Sequence, residues 1–283
     1  MRDSRPIGLI AGAGRLPGEA VDCLAAEGRA TTLFAFDGIS DAELPEDACW
    51  TRLGELERLC DLLRAARVEE LLIVGKFDRS ILLAGADRLA PDAEAVALRA
   101  RIGEQRDDGF MAAIASWFVG RGFSLCRQDL LLTSLLAKQG TLTAKAPDAQ
   151  MRTDIEIGIK AVAALGSEGS GQAVAIKAGR VVAKEASDGT DEMIERAAKL
   201  AGSDITVVKG IRPGQDRRLD LPAIGVGTIE ALARVSARGV AVEAGSTLLI
   251  SGDAIRRVAD ANGLAVFGWS NRQRPGFSAT RSG

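Results

Sequence analysis

The chain has 283 residues, a net charge of -2 and an apolar content of 47 %. This length favours two domains over one. The balanced charge offers neither a basic surface for nucleic acid nor a polybasic membrane patch, so no nucleic-acid partner is expected.

The sequence contains no histidine and no tyrosine. This excludes a Ser-His-Asp triad, a Cys-His pair, an HExxH zinc site and a histidine-bridged dinuclear metal site. Metal binding and proton transfer must then rest on Asp, Glu, Lys, Cys or backbone, and carboxylate oxygens suit Mg²⁺ or Mn²⁺. The four cysteines lack metal-ligand spacing, and no signal peptide or apolar run of ~20 residues is present. We therefore expect reduced thiols in a cytoplasmic protein.

The first half alternates strands and helices, which predicts a Rossmann-like parallel sheet over residues 1–146. The predicted strands are Ile7 to Ala11, Thr31 to Phe36, Leu71 to Val74 and Gly122 to Leu125. The predicted helices are Leu16 to Glu27, Gly54 to Ala66, Ala93 to Ile102, Asp108 to Arg121 and Leu130 to Lys138.

The second half predicts a mixed α/β domain over residues 147–270, after a weakly periodic linker at 141–153. Its predicted strands are Gln172 to Ile176, Arg180 to Glu185, Thr206 to Lys209, Gly239 to Glu243, Leu248 to Ser251 and Leu264 to Gly268. Its predicted helices are Asp154 to Leu165, Thr190 to Ala201, Thr228 to Arg238 and Asp253 to Asn262. Residues 271–283 are expected to be disordered.

The stretch IGLIAGAGRLPG joins the first strand to the first helix through Gly12 and Gly14. Such glycines let backbone approach a phosphate at a helix N-terminus, and Asp37 follows where a ribose-binding acid would lie. The third glycine of the dinucleotide fingerprint is replaced by Pro17. A phosphate site including Arg15 is one interpretation, and a turn without a ligand is the other. Lys76 belongs to the same predicted sheet edge.

Two charged stretches of the second half stand out. In KEASDGTDEMIERA, Asp188, Thr190 and Asp191 either cap a helix or hold a ligand. In VVKGIRPGQDRRLDLPAIG, acids and bases crowd one long loop, which favours a metal and phosphate site over solvated loop charge. Gln172, at a strand start, bonds either to backbone or to a ligand.

Several segments in order resemble one family: IGLIAGAGRLP, IVGKFDR, LLTSLLAKQGTLT, GQAV, DGTDEMIERA and RPGQDRRLDLPAIG. The chain resembles the UDP-2,3-diacylglucosamine pyrophosphatases of lipid A biosynthesis, the histidine-independent LpxI type. The resemblance covers nearly the whole chain, with Asp188 where the family pattern leads us to expect Glu. It implies two domains with substrate between them, and Mg²⁺-dependent hydrolysis. Water would attack the sugar-side phosphorus, releasing UMP and the lipid 2,3-diacylglucosamine 1-phosphate (lipid X).

Given that reaction, Asp216 and Asp220 are the first candidates for Mg²⁺ ligation or water activation, and Asp188 and Asp191 the second. Substrate-binding candidates are Gly12, Gly14, Arg15, Lys76, Gln172, Thr190, Lys209, Arg212, Gln215, Arg217 and Arg218. The resemblance further implies a Gram-negative bacterial enzyme, and we expect peripheral contact with the inner membrane and a homodimer. Two rival interpretations are a nucleotide-dependent oxidoreductase, suggested by the glycine loop, and a non-catalytic nucleotide- or lipid-binding protein.

Overall fold

The computed structural model describes residues 5–41, 44–77, 91–103, 107–167 and 171–270. Contacts divide the chain into two compact units. Unit 1 is Met1–Ser134 together with Asp216–Asp220, and unit 2 is Leu135–Gln215 together with Leu221–Gly283. The sequence-based division lay at residues 146 and 147, and the expected disordered tail falls outside the described residues.

Unit 1 contains a parallel five-stranded sheet in the order β3-β2-β1-β4-β5, the strand order of a Rossmann fold. Its strands are β1 (Ile7–Ala11), β2 (Thr31–Phe36), β3 (Cys49–Thr51), β4 (Glu70–Val74) and β5 (Ser124–Leu125). Its helices are α1 (Leu16–Ala26), α2 (Leu56–Ala65), α3 (Ala93–Gly103), α4 (Asp107–Gly120) and α5 (Gln128–Leu131). The predicted fold class is confirmed.

A hydrophobic cluster joins one face of this sheet to three helices. Ile10, Phe36 and Ile73 of the strands are each at most 2 % exposed and pack with residues of α2, α3 and α4. Ile10 and Ile73 are register partners on neighbouring strands, so they point to the same side of the sheet. The helix predicted over Leu130 to Lys138 is wrong, because the chain there forms α5 and a 3₁₀ turn at Thr133–Leu135.

Unit 2 contains a mixed six-stranded sheet in the order β6-β13-β11-β9-β7-β8. Its strands are β6 (Gly140–Thr141), β7 (Ala173–Lys177), β8 (Arg180–Lys184), β9 (Thr206–Lys209), β11 (Gly239–Glu243) and β13 (Ala265–Trp269). A separate pair joins β10 (Ala223–Ile224) to β12 (Leu248–Leu249). The helices are α6 (Ala149–Ser167), α7 (Thr190–Ala201), α8 (Val226–Arg234) and α9 (Gly252–Ala261). The predicted β7–β8 hairpin is confirmed.

Both faces of the unit 2 sheet are buried, because side chains that alternate along its central strands pack against helices on opposite sides. Val174, Ile176 and Val208 pack in a cluster with residues of α6, whereas Ala175 and Val207 pack in a cluster with residues of α7, α8 and α9. Helix α6 begins earlier than predicted because the Asp148 side chain accepts a hydrogen bond from the Met151 N–H at 2.8 Å. Among the helices in the described ranges, none combines the length and apolar character needed to cross a membrane.

Candidate active site

The first glycine turn lies at the carboxyl edge of the unit 1 sheet, where the strand order reverses between β1 and β4. Ligands of this fold class bind in the crevice at that point. Here the two loops are hydrogen-bonded to each other: Ala13 and Lys76 exchange N–H to carbonyl bonds of 2.9 and 2.8 Å. The Gly12 N–H donates to the Val74 carbonyl at 2.7 Å. These three backbone donors are therefore occupied within the protein.

Glycine is needed at position 12 because the neighbouring loop approaches so closely. A Cβ atom on Gly12 would lie 2.6 Å from the Lys76 carbonyl oxygen. Gly14 differs, since its φ is +93° and the space beside it is open. Gly14, Arg15 and Lys76 lie at this edge with their surfaces at least partly accessible, and they stay substrate-binding predictions.

We expect Gly12→Ala to lower the free energy of unfolding by about 1–3 kcal/mol, because the added methyl group overlaps backbone that has little freedom to move. Gly18→Ala is the matched control, since Gly18 lies in α1 and a Cβ atom at that position would meet open space. That control should be neutral or stabilising by up to ~1 kcal/mol. Urea unfolding followed by circular dichroism measures both, and equal stability of Gly12→Ala and wild type would contradict the packing role.

The segment Asp216–Asp220 belongs to unit 1, although the chain on both sides of it belongs to unit 2. Leu219 anchors the segment, because its side chain is 7 % exposed and packs in the hydrophobic cluster of unit 1. The Gln128 N–H also donates to the Arg217 carbonyl at 2.9 Å. Both first-choice catalytic candidates, Asp216 and Asp220, are thus held by the unit that carries the glycine turn.

The Arg218 guanidinium donates hydrogen bonds to both carboxylate oxygens of Asp216. The Arg218 Nε lies 2.9 Å from Oδ1 and its Nη2 lies 2.6 Å from Oδ2. This hydrogen bonding lowers the pKa of Asp216, and burial opposes it only partly. A carboxylate already bound to guanidinium is a poor base. Asp220 is exposed and stays the other first-choice candidate for activating water.

Arg217 reaches Asp129, an acidic residue that the sequence reasoning missed. Asp129 Oδ2 accepts from Arg217 Nη1 at 2.9 Å and from Arg127 Nη2 at 2.7 Å. Burial raises the pKa of Asp129, but the two guanidinium groups outweigh it, so the net pKa is lowered. The clue was present in the sequence, because Arg127 and Asp129 follow strand β5 at the carboxyl edge of the sheet.

In unit 2, strand ends bring a buried ion pair to one edge of the sheet. Lys209 ends β9, Glu185 follows β8, and their side chains are each 8 % exposed. The Lys209 Nζ lies 3.5 Å from Glu185 Oε1 and donates to the Thr190 hydroxyl at 2.7 Å. The Thr190 hydroxyl in turn donates to Glu185. Burial raises the pKa of Glu185, but Lys209 and these hydrogen bonds outweigh it, so the net pKa is lowered.

The role of Glu185 was also missed from sequence. Nothing in its local pattern marks it, because the strand-ending sequence KEAS is compatible with a solvated turn. Its importance follows from pairing, since β7 separates β8 from β9 in the sheet. The Thr190 side chain does not cap helix α7, as one sequence interpretation held, because the N-cap residue is Gly189.

Three other predicted residues lie near this start of helix α7 or at the same sheet edge. Asp191 Oδ1 accepts from the Thr228 hydroxyl at 2.9 Å, and Asp188 pairs with Arg196. The Gln172 Oε1 is buried without a hydrogen-bond partner among the described residues. A buried acceptor of this kind is costly unless a donor reaches it. The contact of Gln172 with a ligand stays a prediction.

Arg212 and Gln215 form a turn within the unit 2 part of the charged loop. The Arg212 N–H donates to Gln215 Oε1 at 3.0 Å, and the Gln215 N–H donates to the Arg212 carbonyl at 3.1 Å. Gly214 has a φ of +75° within this turn. The amide of Gln215 therefore shapes the loop, and its predicted contact with substrate stays a prediction, as does that of Arg212.

The four candidate metal ligands are Asp188 and Asp191 in unit 2 and Asp216 and Asp220 in unit 1. Within the described ranges, no three His, Cys, Asp or Glu side chains come together in a way that could hold a metal. Mg²⁺ commonly keeps several waters and binds through one or two carboxylates plus substrate phosphates. Carboxylate oxygens are donors that Mg²⁺ prefers, and its binding by these residues stays a prediction.

Comparison with known proteins decides the family. Residues 6–135 match the LpxI N-terminal domain, and residues 138–267 match the LpxI C-terminal domain. The chain belongs to the LpxI family. A relative from Caulobacter vibrioides, the UDP-2,3-diacylglucosamine pyrophosphatase LpxI, is 29 % identical over 283 residues, covering 96 % of this chain and 100 % of the relative. The resemblance inferred from the sequence segments is thereby confirmed.

The two LpxI domains follow the two compact units closely, with one exception. The N-terminal LpxI domain ends at residue 135, next to the end of the main part of unit 1 at Ser134. The C-terminal LpxI domain includes Asp216–Asp220, which the structure packs with unit 1. In this member of the LpxI family, the sequence domain that supplies these aspartates is not the compact unit that holds them.

Proposed function

We propose that this chain hydrolyses the pyrophosphate bond of UDP-2,3-diacylglucosamine in lipid A biosynthesis. The products are UMP and 2,3-diacylglucosamine 1-phosphate. The observation that supports this most directly is membership of the LpxI family, whose Caulobacter vibrioides relative has that activity in its name. As a phosphoric anhydride hydrolase acting on a lipid, the enzyme works at the surface of the inner membrane.

The diphosphate is held by cations and by a helix N-terminus. Lys209 and the Thr190 hydroxyl meet at the start of α7, where the backbone N–H groups of the first turn and the helix dipole favour an anion. Glu185 holds the Lys209 ammonium in this position. Arg212, on the unit 2 part of the charged loop, is a further candidate for binding phosphoryl oxygens. The phosphate contacts of Arg217 and Arg218 stay predictions.

Asp220 orients the attacking water and accepts its proton. The water oxygen bonds to the sugar-side phosphorus, the bond from that phosphorus to the bridging oxygen breaks, and the bridging oxygen leaves with UMP. An ordinary carboxylate is a weak base at neutral pH. Mg²⁺, with Mn²⁺ as an alternative, would neutralise phosphoryl charge and make water more acidic when it is bound with the substrate. Asp216 in unit 1, and Asp188 and Asp191 in unit 2, each stay candidate ligands for this ion.

The purified protein should release UMP from UDP-2,3-diacylglucosamine in the presence of Mg²⁺, and excess EDTA should suppress this release. In H₂¹⁸O the label should enter the lipid phosphate and be absent from UMP. Mass spectrometry of both products measures this, with added Mg²⁺ restoring the EDTA-treated sample as the control. Tight substrate binding without UMP release at any Mg²⁺ concentration would instead support a non-catalytic binding protein. Label in UMP would show that water attacks the uridine-side phosphorus instead.

The oxidoreductase alternative gains no support from the glycine turn. The crevice in which a dinucleotide would place its pyrophosphate is bridged by the backbone pairing of Ala13 with Lys76.

A further inference from the structure

Arg217 is held within unit 1 through both its backbone and its side chain. Its carbonyl accepts a hydrogen bond from the Gln128 N–H at 2.9 Å, and its Nη1 donates to Asp129 Oδ2 at 2.9 Å. Gln128 and Asp129 are consecutive residues at the start of the short helix α5. The segment Asp216–Asp220 is therefore tied to α5 at its second residue.

The two residues of α5 are themselves fixed in unit 1. The Gln128 side chain is buried, and its Nε2 donates to the carbonyl of Ile73 in β4 at 2.7 Å. The Asp129 side chain is 8 % exposed and also accepts hydrogen bonds from Arg127 Nε and Nη2 at 3.0 and 2.7 Å. Although burial raises the pKa of Asp129, the hydrogen bonds from Arg127 and Arg217 lower it on balance, so this carboxylate is charged at neutral pH. Charge-assisted hydrogen bonds of this kind are among the strongest in proteins, so Asp129 is a firm acceptor for Arg217.

Arg217 lies inside a single turn of backbone that carries both first-choice catalytic candidates. The N–H groups of Leu219 and Asp220 both donate to the Asp216 carbonyl, at 3.2 and 3.4 Å. Release of Arg217 from Asp129 would let this turn move, and the carboxylates of Asp216 and Asp220 would move with it.

We propose that Asp129 is a positioning residue that holds the turn Asp216–Asp220, and with it the Asp220 carboxylate, in the orientation that hydrolysis needs. The proposal rests on the proposed function, in which Asp220 activates the attacking water. Asp129 acts through Arg217 and not on the reacting atoms. A displacement of about 1 Å at a reacting group can lower a rate about 10²-fold, so loss of this contact should affect turnover more than substrate binding.

Asp129→Asn tests the proposal because it keeps the size of the side chain and removes its charge. It should lower kcat by about 10–10²-fold and change KM by less than about threefold. Asp61→Asn is the matched control, because Asp61 pairs with Arg64 on helix α2 of the same unit and its side chain is 78 % exposed. Its kcat should equal that of wild type. Release of UMP over a range of substrate concentrations measures both constants, and a folded Asp129→Asn with the kcat of wild type would overturn the proposal.

A double-mutant cycle with Arg217→Met separates this positioning role from a direct phosphate contact of Arg217. If Arg217 acts through Asp129, the double variant should have a kcat within about twofold of the slower single variant. If the losses of the two single variants multiply, the two side chains act independently, and that result would overturn the proposal.

Hydrogen exchange followed by mass spectrometry tests the contact without catalysis, through the amide hydrogens of Leu219 and Asp220 that are bonded within the turn. Their exchange should be about tenfold faster or more in Asp129→Asn and in Arg217→Met, and unchanged in Asp61→Asn. The Arg217 side chain is 27 % exposed, so Arg217→Met serves alone if Asp129→Asn does not fold. Unchanged exchange in the folded variants would overturn the proposal. If wild type releases no UMP yet exchange rises in these variants, the proposed function fails and the positioning of the turn by Asp129 stands.

Discussion

Asp220→Ala should abolish hydrolysis, lowering kcat by about 10²–10⁴-fold, the usual contribution of a general base. Asp220 is exposed in the structure, so truncation of its side chain leaves no buried cavity. The far-ultraviolet circular dichroism spectrum and substrate binding should therefore be unchanged. Steady-state release of UMP, together with a binding titration, measures both effects.

Asp253→Ala is the matched control for Asp220→Ala. Asp253 is an exposed aspartate on α9 that pairs locally with Arg256, three residues along the helix. Its loss should leave kcat unchanged. Asp216→Ala offers a further contrast, because it releases Arg218 and removes a carboxylate whose pKa is already lowered. Substantial turnover by Asp220→Ala would show that another group activates the water.

Lys209→Met should lower the free energy of unfolding by about 3–5 kcal/mol, because it leaves the buried Glu185 carboxylate without its cation. The corresponding fall in melting temperature is roughly 6–20 °C for a unit of this size. The double variant Glu185→Gln with Lys209→Met removes both charges and should recover much of this stability. Calorimetry on the two single variants, the double variant and wild type gives the coupling between the two side chains.

The exposed pair of Arg234 and Glu195 provides the control for this cycle. Their side chains are 58 % and 52 % exposed, so Arg234→Met should change the free energy of unfolding by less than ~1 kcal/mol.

The double variant Glu185→Gln with Lys209→Met should remain inactive although it is folded, since Lys209 is proposed to bind phosphate. A double variant no more stable than Lys209→Met would show that the ion pair is not the source of the loss.

The pH dependence of stability is a second test of the ion pair between Lys209 and Glu185. The pKa of Glu185 is lower in the folded state than in the unfolded state. The carboxylate therefore contributes to the free energy of unfolding above the unfolded pKa of ~4.3, and this contribution is lost as the pH falls through the folded pKa. In Lys209→Met the unpaired carboxylate has a raised pKa, so acidification relieves its cost. The difference in melting temperature between wild type and Lys209→Met should therefore narrow between pH 7 and pH 4.

Local patterns in the sequence predicted much of the α/β architecture of the two units. The alternation of apolar strands with amphipathic helices is a property of neighbouring residues, and it correctly predicted β1, β2, β4 and the β7–β8 hairpin. It failed at Leu130 to Lys138, where an apolar run without a long helical period forms only short turns of helix. A run of that length is compatible with several structures until its neighbours are known.

The candidate site also combines features that local sequence predicts with features that depend on tertiary contacts. Charge density and turn residues made the loop containing Asp216 and Asp220 a candidate, the glycine spacing did the same for Gly12 and Gly14, and the roles of all four stay predictions. Neither pattern revealed that Gly12 is required by the approach of Lys76, or that Leu219 ties the charged loop to unit 1.

Composition and local order were thus sufficient to predict the fold class and to limit the chemistry open to a protein without histidine. The family followed from the resemblance of several sequence segments, which the comparison with known proteins confirmed. Which charges are buried together depends instead on contacts between distant parts of the chain. Lys209 and Glu185 are 24 residues apart and meet because strand β7 lies between their strands in the sheet. Strand order is set by the packing of the whole unit. The same packing decides how deeply an ion pair is buried, and therefore how much the loss of one partner lowers the free energy of unfolding.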